Sequence, residues 1–158
     1  IAFIKYPPDT EMDAEFLYRD PIVGIFAADD PYASWDKFPL AKLPELPYIA
    51  LNEGVEDEIT DILQANQVEP NTRFVESDDH AVIAMVEQGL GTSLMSKLML
   101  LGFSRNIAAV PLEPPAWRDL GIGCKDRNSL SAAAAAFVQC AKEWLKEEGY
   151  TQGRTPLP

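Results

Sequence analysis

Residues 76–95 read ESDDHAVIAMVEQGLGTSLM. Just before them, Phe74-Val75 has strand character, and Ser77 or Asp78 then offers a short polar side chain that caps a helix start. Val82, Met85 and Val86 share one helical face, and Gly89 supplies the glycine at which such helices stop. Residues 91–96 return as a strand. Strand, helix and strand in this order predict a βαβ unit, and so an α/β protein.

Upstream, Tyr48-Ile49-Ala50-Leu51 reads as another strand, bounded by Asn52-Glu53-Gly54. Val55, Ile59, Ile62 and Leu63 follow at i, i+4, i+7 and i+8, the stripe of an amphipathic helix. Glu56, Asp57 and Glu58 fall in its first turn, where the helix dipole favours carboxylates. Residues 38–47 carry prolines at 39, 44 and 47 and are expected to be mostly loop. Ile22–Phe26 is a strand, Phe16–Tyr18 a short extended piece, and Ile1–Lys5 a buried strand stopped by Tyr6-Pro7-Pro8.

Downstream, Leu98–Leu101 is an apolar turn, and Ile107–Leu112 and Leu120–Lys125 are two further strands. Ser131 caps a last helix whose buried stripe is Phe137, Cys140, Ala141, Trp144 and Leu145; Gly149 ends it, and 151–158 is a loose tail. Strands that are apolar throughout predict largely parallel sheets covered on both faces. A chain that opens on an apolar strand with no methionine is expected to be a fragment of a longer protein.

Composition narrows the function. Thirteen Lys and Arg against twenty-five Asp and Glu leave a net charge of −12 over 158 residues. That balance argues against direct binding to a phosphate backbone, which needs a basic stripe. No apolar run approaches the roughly 20 residues that span a bilayer. Cys124 and Cys140 are the only cysteines and lack metal-ligand spacing, so neither a disulfide scaffold nor a Cys/His zinc site is expected. A reducing cytoplasm is mildly favoured.

No catalytic centre assembles from the residue inventory. His80 is the only histidine, sits just inside a capped helix, and reads as a partly exposed surface residue. No G-x-S-x-G elbow accompanies it. Glu76, Asp78 and Asp79 crowd a helix start, where carboxylates are stabilised in any case. Gly89-Leu90-Gly91 follows a helix and precedes a strand, the reverse of a dinucleotide loop. What remains are the strand-to-helix junctions at Leu51–Gly54 and Glu76–Asp78. In parallel sheets such junctions converge at the C-terminal edge and hold ligands with free backbone N–H groups, and the hydroxyls of Thr92 and Ser93 are expected to join them.

Residues 76–95 also resemble the central signature of LysR-type transcriptional regulators: an acidic cap, a helix closing on valine–x–x–glycine–leucine–glycine (here Val86 to Gly91), and a strand leading to a short helix. Tyr18–Ile25 is similar to the family's strand entering its second lobe, and Leu40–Leu51 to its leucine-rich turn, proline and strand. Val110–Leu112, Leu120–Cys124 and Ser131–Leu145 are similar to its closing strands and last helix. The resemblance covers Ile1 to about Leu145.

It implies a two-lobe fold of the type II periplasmic-binding-protein kind. Lobe II would be 27–125, lobe I would be 1–26 with 126–150, and 151–158 a tail. Lobe I would be incomplete, and the DNA-reading helix-turn-helix would lie outside the chain. The implied function is sensing of a small-molecule effector without cofactor, metal or catalytic residue, in a cytoplasmic homodimer that touches DNA only through the missing reader and touches no membrane. By position, the ligand wall would include Asn52, Glu53, Gly54, Glu76, Ser77, Gly91, Thr92 and Ser93. Glu53 and Glu56 at its mouth weaken the case for an anionic effector unless an arginine is supplied from elsewhere. A solute-binding protein of a transport system is the alternative, and an enzyme on the same scaffold a third class.

Overall fold

The computed structural model describes residues 1–52, 58–102, 106–148 and 150. The chain forms two compact units, one of Pro21–Ala116 and one of Ile1–Asp20 with Trp117–Pro158. Seven strands are present among the described residues: β1 (Ala2–Lys5), β2 (Asp13–Ala27), β3 (Phe38–Pro39), β4 (Tyr48–Leu51), β5 (Thr72–Glu76), β6 (Ser93–Ser96) and β7 (Ile107–Cys124). Three α-helices accompany them: α1 (Glu58–Ala65), α2 (Asp79–Glu87) and α3 (Ala132–Glu147). The units change over within β2 and β7, at 20/21 and 116/117.

In the 21–116 unit, β2 pairs antiparallel with β6 from Ile22↔Ser96 to Ile25↔Ser93. Parallel pairing joins β4 to β5, β3 to β7, and Tyr48 to Thr92 at the start of β6. The sheets are therefore mixed, which corrects the expectation of largely parallel ones. Both faces are covered, as the continuous apolar runs require. Ile22, Phe26, Tyr48 and Leu94 enter one core with Phe38, Leu40, Leu43 and Leu63. Val23, Ile25, Ile49 and Met95 enter the other with Val82, Ile83 and Val86. Each such side chain contributes roughly 1.5–3 kcal/mol on burial. The three from α2 stabilise a nine-residue helix that is too short to stand alone.

Local signals end the helices where the residues dictate. Asp78 caps α2, its Oδ1 accepting from the Ala81 N–H at 2.8 Å. Gly89, at φ +71°, closes it: the Leu90 N–H donates to Met85 and the Gly89 N–H to Val86, the paired bonds of a Schellman stop. α1 closes in the same way through Gln67 (φ 56°), with the Val68 N–H donating to Leu63. Val55, Glu56 and Asp57, assigned to α1 from the sequence, lie outside the described residues, as do Gly149 and the 151–158 tail.

In the other unit β1 pairs antiparallel with the end of β7, from Ala2↔Gly123 to Lys5↔Leu120. Two expectations are corrected here. β1 is not buried: Ile1 and Phe3 are exposed, Phe3 meeting only the edge of Phe137 at 6.2 Å among the aromatic contacts of the described residues. In α3 the half-covered stripe is Ala134, Val138, Ala141, Lys142 and Leu145, whereas Phe137, Cys140 and Trp144 stand exposed.

α3 is held to β2 by charge. Glu15 accepts from Lys142 on α3 and from Arg127 at 3.1 Å. The hydrogen bond from Lys142, then the charges of Lys142 and Arg127, keep its carboxyl below the usual 4.5 against the opposing effect of burial. A depressed folded pKa gives stability that is present above the unfolded value and is lost as pH falls through the folded one. Glu15→Gln is therefore expected to lower the urea midpoint at pH 7 and to converge with the parent once acid has protonated the Glu15 carboxyl in the folded state. An equal gap at both pH values would refute the charge assignment.

Candidate ligand-binding site

The junction after β4 and the junction after β5 lie side by side. Leu51 pairs with Glu76, and the Asn52 N–H donates to the Glu76 carbonyl at 2.7 Å. Asn52 and Ser77 are exposed and Glu76 is half-buried. Because Asp78 is the cap of α2, the Ser77 hydroxyl is left to other uses. Glu53 and Gly54 lie outside the described residues.

Gly91, Thr92 and Ser93 are placed elsewhere. Thr92 bridges Tyr48, the first residue of β4, whereas Asn52 follows its last. β4 and β6 run parallel there, so the glycine–threonine–serine turn sits at the N-terminal edge of strands whose C-terminal edge carries Asn52 and Glu76. Four residues of extended chain, roughly 13 Å, separate the two groups. The hydroxyls are also engaged. Thr92 Oγ1 donates to the Ile25 carbonyl at 2.8 Å and Ser93 Oγ to the Ile49 carbonyl at 2.7 Å, both in full burial. With Thr92 N–H on Pro47 and Ile49 N–H on Thr92, each at 2.9 Å, they clip β4 into place.

Ser96 ends β6, on the same side of the parallel Tyr48–Thr92 bridge as Leu51, the end of β4. Ser96 is buried at 3 % exposure, and its hydroxyl has no hydrogen-bond partner among the described residues. Sequence reading missed it because the parallel register of residues 44 positions apart has no local signature. The C-terminal edge of this unit thus carries Asn52, Glu76, Ser77 and Ser96. It is a set of hydroxyl, amide and carboxylate groups that can hydrogen-bond a small polar molecule.

His80 is exposed on α2. Cys124 and Cys140 are free thiols, the latter exposed and not packed as the sequence suggested. Among the described residues no group of His, Cys, Asp or Glu can hold a metal ion, and no helix is long and apolar enough to cross a membrane.

Residues 1–146 match the LysR substrate binding domain. The chain belongs to that family. A curated relative is the uncharacterized HTH-type transcriptional regulator YvbU of Bacillus subtilis (strain 168), 25 % identical over 150 residues, covering 94 % of this chain and 51 % of the relative. The chain thus spans about half the length of that regulator. The fold matches the BenM effector binding domain solved with its effector benzoate: TM-score 0.79, 18 % identity, 99 % of this chain and 73 % of that one. It also matches the regulatory domain of Synechocystis PCC6803 CcmR in complex with 2-PG: TM-score 0.75, 16 % identity, 91 % and 72 %. The type II periplasmic-binding-protein-like fold of LysR-family effector-binding domains is therefore the fold of this chain.

Proposed function

We propose that this chain is the effector-sensing part of a cytoplasmic LysR-type transcriptional regulator. A small molecule binds at the C-terminal edge of the 21–116 unit, through Asn52, Glu76, Ser77 and Ser96 and through Glu53 and Gly54, the next two residues of the sequence. Gly91, Thr92 and Ser93 serve that edge by fixing β4. The ligand acts by population shift: it is bound better by one arrangement of the protein and biases it, with no bond made or broken. DNA is read by a helix-turn-helix outside these 158 residues, and the working assembly is a homodimer.

The observation that carries this reading is the family match over residues 1–146, joined to an edge of polar hydrogen-bonding groups. A thermal-shift screen of small metabolites tests it, since a ligand of the folded state raises the melting temperature by mass action. The expected result is a stabilising compound whose effect falls at least tenfold in apparent affinity in Ser77→Ala with Asn52→Ala. Chemical turnover of that compound would overturn the reading. Sedimentation is expected to show dimers, the exposed Phe137 and Trp144 being apolar surface a monomer leaves in water.

A further inference from the structure

The unit of 1–20 and 117–158 has a cavity of its own, about 510 Å³, where α3 and Tyr150 face Leu17 of β2. Small-molecule sites have roughly 300–1,000 Å³. Its inner wall is apolar: Leu17, 4 % exposed, and Leu145, half-covered on α3. Tyr150 supplies an aromatic wall. Two ring contacts hold it, Trp144 stacked at 5.8 Å and Tyr18 edge-on at 5.0 Å.

The charged wall is one face of α3, where Gln139, Lys142, Glu143 and Lys146 stand at i, i+3, i+4 and i+7. The charge of Lys142 is matched by Glu15, to which it donates. Glu143 and Lys146 are both exposed, so they stand where the cavity opens to solvent. Glu143 accepts only from the neutral amide of Gln139, at 2.7 Å, and the Lys146 ammonium has no ion pair among the described residues. At three residues apart, opposite charges on a helix are placed to pair, yet these two do not. The opening therefore presents one carboxylate and one ammonium, each without a counter-ion. A ligand of single charge is attracted by one and repelled by the other. A ligand that carries both charges satisfies both.

We propose that this cavity binds a zwitterionic small molecule of the amino-acid type with an apolar side chain. The side chain lies against Leu17, Leu145 and Tyr150, the carboxylate on Lys146 and the ammonium on Glu143. This is a second ligand site, built without any residue of the 21–116 unit, and it does not rest on the edge assigned there.

The test follows the Tyr150 ring and Lys146 Nζ NMR signals of the full chain during titration with L-phenylalanine and L-leucine. Hydrocinnamate, which keeps only the acid, and phenethylamine, which keeps only the amine, are the comparisons. At least one amino acid is expected to move both sets of signals and to bind about tenfold more tightly than either comparison, the effect of one charge-assisted hydrogen bond. Glu143→Gln, which keeps an acceptor for Gln139, and Lys146→Gln are each expected to weaken that amino acid about tenfold. Asn52→Ala with Ser77→Ala is expected to bind it as the parent does. Tyr150 signals that stay in place, a singly charged comparison that binds as tightly, or parental affinity in both Glu143→Gln and Lys146→Gln overturns the assignment. An amino acid lost by Asn52→Ala with Ser77→Ala but kept by Lys146→Gln also overturns it, while supporting the effector edge.

Discussion

Gly91→Ala is expected to lower stability by about 1–3 kcal/mol, the usual cost of forcing a methyl group into a filled space, and Gly91→Val by more. A Cβ at Gly91 would stand 2.6 Å from the Pro47 carbonyl oxygen and 3.2 Å from Ile49 Cγ1. The oxygen cannot retreat cheaply, because it accepts the Thr92 N–H at 2.9 Å and so holds the start of β4 against β6. The neighbouring Gly89 gives the contrast. Its Cβ would meet nothing within 4 Å, and only its φ of +71° demands glycine. Gly89→Ala should cost about 1 kcal/mol, and Gly89→Asn less, since asparagine tolerates the left-handed region. Urea midpoints of the variants check this ordering. A Gly91→Ala protein more stable than Gly89→Ala would show that β4 shifts freely, and Asn52 would then not be held where the ligand edge needs it.

That pair of glycines marks how far local sequence reaches. The stop at Gly89 was legible because helix periodicity and a C′ glycine are contained within a dozen residues. The role of Gly91 was not, since its neighbour Pro47 lies far back in the chain. The same divide runs through the fold. Apolar runs located β4, β5 and β6. They broke β2 around Pro21 and β7 between Leu112 and Leu120, across Pro114 and Pro115, yet both strands continue through their prolines, each a residue that a strand tolerates where no ladder N–H is needed. Periodicity also finds which side chains share a helix face, not whether anything covers it. Phe137 and Trp144 were therefore read as buried and are half in water. At the site, both strand-to-helix junctions were legible from their order. Placing Thr92 beside them failed, and Ser96 escaped notice, because inter-strand register is a property of the whole sheet.

Phe38→Ala should show the largest loss of any single truncation considered, about 3–5 kcal/mol, the range for deleting a fully buried phenylalanine. The residue falls in a stretch whose three prolines read as loop, yet it forms β3, pairs with Leu112, and is 0 % exposed. Its ring meets Phe26 edge-on at 5.0 Å and Tyr32 at 5.4 Å, within the core that also holds Leu40, Leu43 and Leu63. Alanine would leave a cavity beside the Phe26 and Tyr32 rings, whose own contact at 5.7 Å is already made, so relaxation can recover little of the lost contact. Phe74→Ala removes the same atoms from a residue that is 41 % exposed on β5, and its cost should stay near or below 1 kcal/mol. The comparison isolates burial from residue type, and equilibrium urea unfolding followed by tryptophan fluorescence reads it directly. Near-equal losses at the two positions would mean that β3 is not part of the core, and the α1 side of the 21–116 unit would then lack the packing that sets the level of β4 and, through it, the ligand edge.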